Sequence, residues 1–156
     1  MRPVVQRVRA EVTSDFDTFV ARAEELAALP RFAADPAPLA QAAVALHHAY
    51  GAVESALIRI ARLLEGEAPT GPDWHQALLA SMALEIESIR PPVLSPETLA
   101  DLRMLLSFRH FFRHAYSVQL DPERLEELRS VAIRLRTSLR ADFARLDDLL
   151  RELAST

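Results

Sequence analysis

Cysteine is absent from the 156 residues. That excludes a disulfide framework, thiolate metal sites and cysteine nucleophiles, and it suits a cytoplasmic protein. Lysine is absent as well, so all 18 basic residues are arginine. No apolar run approaches the roughly 20 residues of a membrane span. The opening residues "MRPVVQRVRAEV" carry charges every few positions and offer no signal-peptide core. A net charge of −4 supplies no global basic field, which argues against nonspecific coating of nucleic acid and leaves a small local site open. No segment alternates with period two, so no strand is expected. Internal repeats and low-complexity tails are missing too.

What remains is helical rhythm. A chain of this length favours one domain and buries roughly 70% of its unfolded surface without a staple. Val5, Val8, Val12, Phe16, Phe19, Ala23 and Leu26 form the stripe of a first helix ending near Leu29, before Pro30. A second runs from about Pro38 to Glu65, and "GEAPTGPD" breaks it. The third is expected over Trp74 to Ser88, with Asp73 as its cap and Gln76 reaching back. Ser95 and Pro96 open a fourth that runs to about Tyr116. Asp121 and Pro122 open the last, with Leu125, Leu128, Ala132, Leu135, Leu139, Leu146, Leu149 and Leu153 on its buried face. Short connections favour antiparallel neighbours. The fold class is therefore all-α, an up-and-down antiparallel bundle of about five helices, with 1–156 as a single domain.

One stretch departs from the Ala, Leu, Arg and Glu background. "SFRHFFRHAY", residues 107 to 116, gathers two arginines, two histidines, three phenylalanines and a tyrosine. On a helix Arg109 and His114 lie about 140° apart and about 7.5 Å along the axis, and Tyr116 returns to within about 20° of Arg109. A guanidinium forks onto phosphate oxygens and stabilises developing negative charge. An imidazole exchanges protons near neutrality. Together they suit RNA cleavage without a metal, with the 2′-hydroxyl as nucleophile. A helix end decorated with polar side chains over a core of Phe108, Phe111 and Phe112 is the plainer account of the same spacing. His110 and His114, four apart, match zinc spacing, but no HExxH signature is present and no carboxylate stands close by in sequence. Glu54 follows the buried-stripe residue Val53, where a carboxylate is placed to pair with Arg109 or Arg113 and fix its orientation. Trp74, beside His75, reads as a plug closing one end of the bundle. Arg129, Arg136 and Arg140 share a face of the last helix, as a phosphate track or as an ordinary salt-bridged surface.

Arginine, four residues, histidine, one residue, tyrosine is similar to the motif of HepT-like ribonuclease toxins, a branch of the HEPN superfamily. Here it stands as Arg109, His114 and Tyr116. Residues 50 to 82, "YGAVESALIRIARLLEGEAPTGPDWHQALLASM", resemble the middle of a HepT-like protein. There, a helix with an internal glutamate precedes a Gly/Pro turn and a Trp-His pair. The resemblance implies an all-α homodimer whose two motifs meet in a composite, metal-independent endoribonuclease site with no cofactor. Carried over, Arg109 and His114 are catalytic, Tyr116 is the modified residue, and His110, Arg113 and Glu54 are supporting positions. It also implies a partner: a minimal nucleotidyltransferase antitoxin that neutralises the toxin by attaching AMP to the motif tyrosine. One departure is that bulky, basic "HFFR" separates Arg109 from His114 where a small polar residue after the arginine is common. A catalytically silent module that holds a nucleotidyltransferase or a nucleotide is the alternative function.

Overall fold

The computed structural model describes residues 1–33, 35–114 and 120–156, with the backbone alone over 110–114. Five helices follow one another: α1 (Arg2–Ala28), α2 (Pro36–Glu65), α3 (Trp74–Met82), α4 (Pro96–His114) and α5 (Pro122–Ser155). Among the described residues none forms a strand, and Ile86 and Arg90 make a lone antiparallel bridge. The long helices α1, α2 and α5 pack on one another. The shorter α4 lies against α2 and α5, and α3 closes one end against α2 and α4. This is the all-α bundle that the periodicity predicts.

α2 is the hub because of its composition. Ala42, Ala43, Ala45, Ala49, Ala52, Ala56 and Ala61 are buried with Leu46, Val53, Leu57 and Ile60. Small side chains let neighbouring helices approach closely on several sides, while alanine keeps helix propensity high. Its start is fixed by Asp35, whose side chain accepts from the Ala37 amide at 3.2 Å, with Pro36 just inside. Its end is Gly66 at φ 85°, a left-handed cap that glycine reaches without a Cβ clash. Asp121 caps α5 in the same manner, accepting from Glu123 at 3.0 Å. Of the leucines expected on the inner face of α5, Leu153 is exposed, because that face passes instead through Leu146 and Leu150 to Ala154.

Two arginines do the capping that local sequence does not. Arg129 turns inward from α5, and its Nη1 donates to the carbonyls of Leu26, Leu29 and Pro30 at the end of α1. Its guanidinium lies over the Phe32 ring at 4.3 Å, and Glu126 holds its other edge. This pairing holds the Glu126 carboxyl below its usual range. Arg129 is thus not part of a phosphate track with Arg136 and Arg140.

Arg90 does the same for α3. That helix ends at Met82, six residues before the expected Ser88. The Met82 carbonyl accepts from Val93 and Leu94 at 2.8 and 3.0 Å, and Ser88 takes φ 64°. The chain therefore folds back on the helix end rather than extending it. The fully buried Arg90 side chain donates to the carbonyls of Ser81, Leu84 and Pro91, to the Ser81 hydroxyl, and to Glu65 at 2.7 Å. Asp73, expected to cap the other end, makes no side-chain capping bond. Arg90→Ala strands Glu65 and several carbonyls, and should cost about 3–5 kcal/mol in urea unfolding. Arg90→Lys should recover little, since an ammonium cannot reproduce the fork. Exposed Arg103→Ala should stay within about 0.5 kcal/mol of the parent.

Candidate functional site

The site forms where α2, α3 and α4 meet. On α4, Leu102, Leu105, Leu106 and Phe108 are buried, and this face carries Arg109 toward α2. On α2, Tyr50 and Glu54 are one turn apart and both buried. The Gly/Pro turn after α2 returns the chain so that α3 opens with Trp74 and His75 beside them.

Glu54 holds the cluster together. Arg109 Nη1 donates to both of its oxygens, at 3.0 and 3.2 Å. His75 Nδ1 lies 2.6 Å from Oε2. The Glu54 side chain is 7% exposed, that of Arg109 16% and that of His75 23%. The site therefore grades from a buried carboxylate to a partly open imidazole. A carboxylate so buried stays charged only when paired and hydrogen-bonded, and both partners supply that.

The distances favour one tautomer of His75. Arg109 Nη1 is 3.2 Å from His75 Nδ1. A guanidinium only donates and an ionised carboxylate only accepts, so Nδ1 cannot serve both. The Glu54 contact is the shorter and is charge-assisted. Nδ1 therefore carries the proton and donates it to Glu54, and the guanidinium is a close neighbour. Nε2 remains as the basic nitrogen.

Tyr50 lies beneath. The Arg109 guanidinium carbon is 5.5 Å from the centre of its ring, within cation–π reach. Burial first, then the negative charge of Glu54, push the phenol far above its ordinary pKa, with Arg109 pulling the other way. Glu54 raises the phenol by its charge and by its closeness to the hydroxyl, although no hydrogen bond of good geometry joins the phenol oxygen to a described residue. Tyr50 is thus a neutral floor for the cation.

Arg109 keeps one edge in reserve. Its Nη1 is committed to Glu54, whereas its buried Nε has no hydrogen-bond partner, and Nη2 bonds to none of the described residues. Nε–H and Nη2–H form a parallel fork that matches two oxygens of a carboxylate or phosphate. A buried donor left unpaired is costly, and because Nε is closed to solvent an anionic ligand would reach it only as neighbouring side chains move. Beside His75 opens a cleft of about 370 Å³ lined by Pro72, Asp73, His75, Gln76, Leu106 and Ser107.

Of the residues singled out from sequence, the structure brings Glu54 and Arg109 together. His114 is the last residue of α4, five positions beyond Arg109 on the same continuous helix. Its side chain, and those of His110 and Arg113, lie outside the described residues, as does Tyr116. His75 is the residue that sequence reasoning passed over. Its one signal was its place after the Gly/Pro turn beside Trp74, which is half-buried against the core and stacks on His75 at 3.7 Å. Among the described residues, no group of three His, Asp or Glu side chains is placed to hold a metal ion, and no helix is long and apolar enough to cross a membrane.

A family model described as HepT-like protein matches residues 41–150. No curated protein and no solved structure matches the chain. The matched span runs from the first turns of α2 into the last turns of α5. It contains Tyr50, Glu54, His75 and Arg109 together with His114 and Tyr116. With more than two thirds of its length matched and an all-α bundle around the motif, this chain belongs to the HepT-like family of the HEPN superfamily.

Proposed function

We propose that the chain is a metal-independent endoribonuclease toxin that acts as a homodimer. The observation that carries this reading is the state of Arg109: held from one side by buried Glu54, with Nε and Nη2 bonded to none of the described residues. A guanidinium fixed before substrate arrives needs no reorganisation to stabilise the charge that builds on phosphorus-bound oxygens, and such preorganisation is a large source of catalysis. Glu54 sets its direction, and Tyr50 supports it from below.

Cleavage then needs only proton transfers. The RNA 2′-oxygen attacks the adjacent phosphorus, the P–O5′ bond breaks, and His114 supplies an imidazole for acid–base exchange. In the composite arrangement, Arg109 of one copy and His114 of the other serve one site. A minimal nucleotidyltransferase partner would silence the enzyme by placing AMP on Tyr116. The added anion would occupy Arg109 and exclude the RNA phosphate by charge and volume.

The purified chain should cleave single-stranded RNA at an undiminished rate in EDTA, leaving 2′,3′-cyclic phosphate and 5′-hydroxyl ends. Liquid chromatography with mass spectrometry reads both. Activity lost to chelation and restored by magnesium would sink this mechanism and return attention to His110 and His114 as metal ligands. A folded dimer that cleaves no RNA would favour the silent binding module.

A further inference from the structure

We infer that His75 is a second proton-transfer group of this site, the base that takes the proton from the RNA 2′-hydroxyl. The inference rests on the nuclease reading above and adds a residue to it. A transesterification of this kind moves two protons, one off the nucleophile and one onto the leaving oxygen. The Arg-His motif places one imidazole per chain in the reaction, and the structure supplies another.

Three observations point to His75. Its Nδ1 is 2.6 Å from Glu54 Oε2, a carboxylate–imidazole pair in which the buried acid fixes tautomer and ring orientation. That leaves Nε2 as the free basic nitrogen, the arrangement a general base requires. The ring is partly open and lines the 370 Å³ cleft with Asp73, Gln76 and Ser107. It also lies beside the proposed phosphate clamp, with Arg109 Nη1 at 3.2 Å, so a phosphodiester drawn to Arg109 lies within a nucleotide's length of this imidazole. Among the described residues, the charged and titratable groups around His75 are Glu54 and Tyr50 from α2, Asp73 from the turn before α3, and Arg109 from α4.

The step balances. The 2′-oxygen bonds to phosphorus as its proton passes to His75 Nε2. The P–O5′ bond breaks, and O5′ takes a proton from His114. The products are a 2′,3′-cyclic phosphate and a 5′-hydroxyl. His75 ends protonated and His114 neutral, and solvent exchange resets both.

The test is single-turnover cleavage of a fluorogenic oligoribonucleotide across the pH range, by the parent and by His75→Gln. The parent rate should rise and then fall with pH, the rise marking loss of a proton from the base. His75→Gln should cut the maximal rate roughly 10²–10⁴-fold and abolish the rising limb. Its affinity for an uncleavable 2′-deoxy oligonucleotide should stay within about threefold. In His75→Ala, added imidazole should restore turnover. In the unmodified protein, the NMR titration of the His75 ring should share its midpoint with the rising limb, a comparison that needs no variant to fold. A His75→Gln profile that keeps its rising limb, a loss confined to binding, or a His75 titration away from the limb would overturn the assignment while leaving the nuclease reading intact. A folded parent that cleaves no RNA would instead remove the nuclease reading, and this inference with it.

Discussion

Arg109→Ala should lower RNA cleavage roughly 10²–10³-fold, the loss expected when a preorganised donor to the developing charge is removed. It should also cost about 3 kcal/mol of stability, at the lower end of the range for stranding one member of a buried ion pair. The lower end applies because His75 remains 2.6 Å from Glu54 and still donates to it. Arg109→Lys should recover part of the stability, since charge is kept, and little of the activity, since the fork is lost. Arg109→Leu combined with Glu54→Leu removes both charges. It should be more stable than Arg109→Ala and equally inactive. Single-turnover rates and urea unfolding separate the two effects. Mixing Arg109→Ala and His114→Ala chains adds a third measurement. If arginine and histidine come from different copies, mixed dimers hold one complete site and activity returns on mixing. Full activity in Arg109→Ala would remove the phosphate clamp from the mechanism.

Tyr116→Phe should separate toxicity from its control. The proton transfers belong to imidazoles, so loss of one hydroxyl should leave cleavage within about threefold of the parent. The same loss removes the only oxygen of that side chain to which AMP could be attached. Cells making Tyr116→Phe beside an active nucleotidyltransferase should therefore stop growing, whereas cells making the parent should survive. His114→Ala should be harmless with or without the partner while staying folded. Colony counts and intact-protein mass spectrometry read these outcomes. Equal survival of parent and Tyr116→Phe, with no AMP on the parent, would discard nucleotidylation as the means of control.

The helices were legible because burial in this bundle follows the apolar spacing. α1, α2 and α5 match the expected boundaries to within a few residues, and their buried positions are largely those of the stripes. The end of α3 was not legible, because side chain-to-backbone bonds from Arg90 stop it, and helical periodicity in "LEIES" does not register them. Arg129 misled for a related reason. Counting positions around α5 gave its face correctly, but the open carbonyls at the end of α1 lie about a hundred residues away in sequence and draw the guanidinium inward. Glu54 stood out as a carboxylate beside a buried stripe. Its pairing with Arg109, one of the two arginines expected for it, is what the structure has, whereas its hold on His75 required the helices to be brought together. His75 itself looked like an adjunct of Trp74, because a Trp-His pair at a helix start has an adequate structural explanation.

The stacking of Trp74 on His75 at 3.7 Å and 28° has an optical consequence. Trp74 is the sole tryptophan of the chain, so all indole emission originates beside His75. An imidazolium in face contact quenches an excited indole by accepting an electron, and a neutral imidazole does so far less. The brightness of this protein is therefore expected to respond to the state of His75 and to any ligand that parts the two rings. Every solution of the unlabelled chain contains a fluorophore already seated at the site, free of any dye that could perturb it.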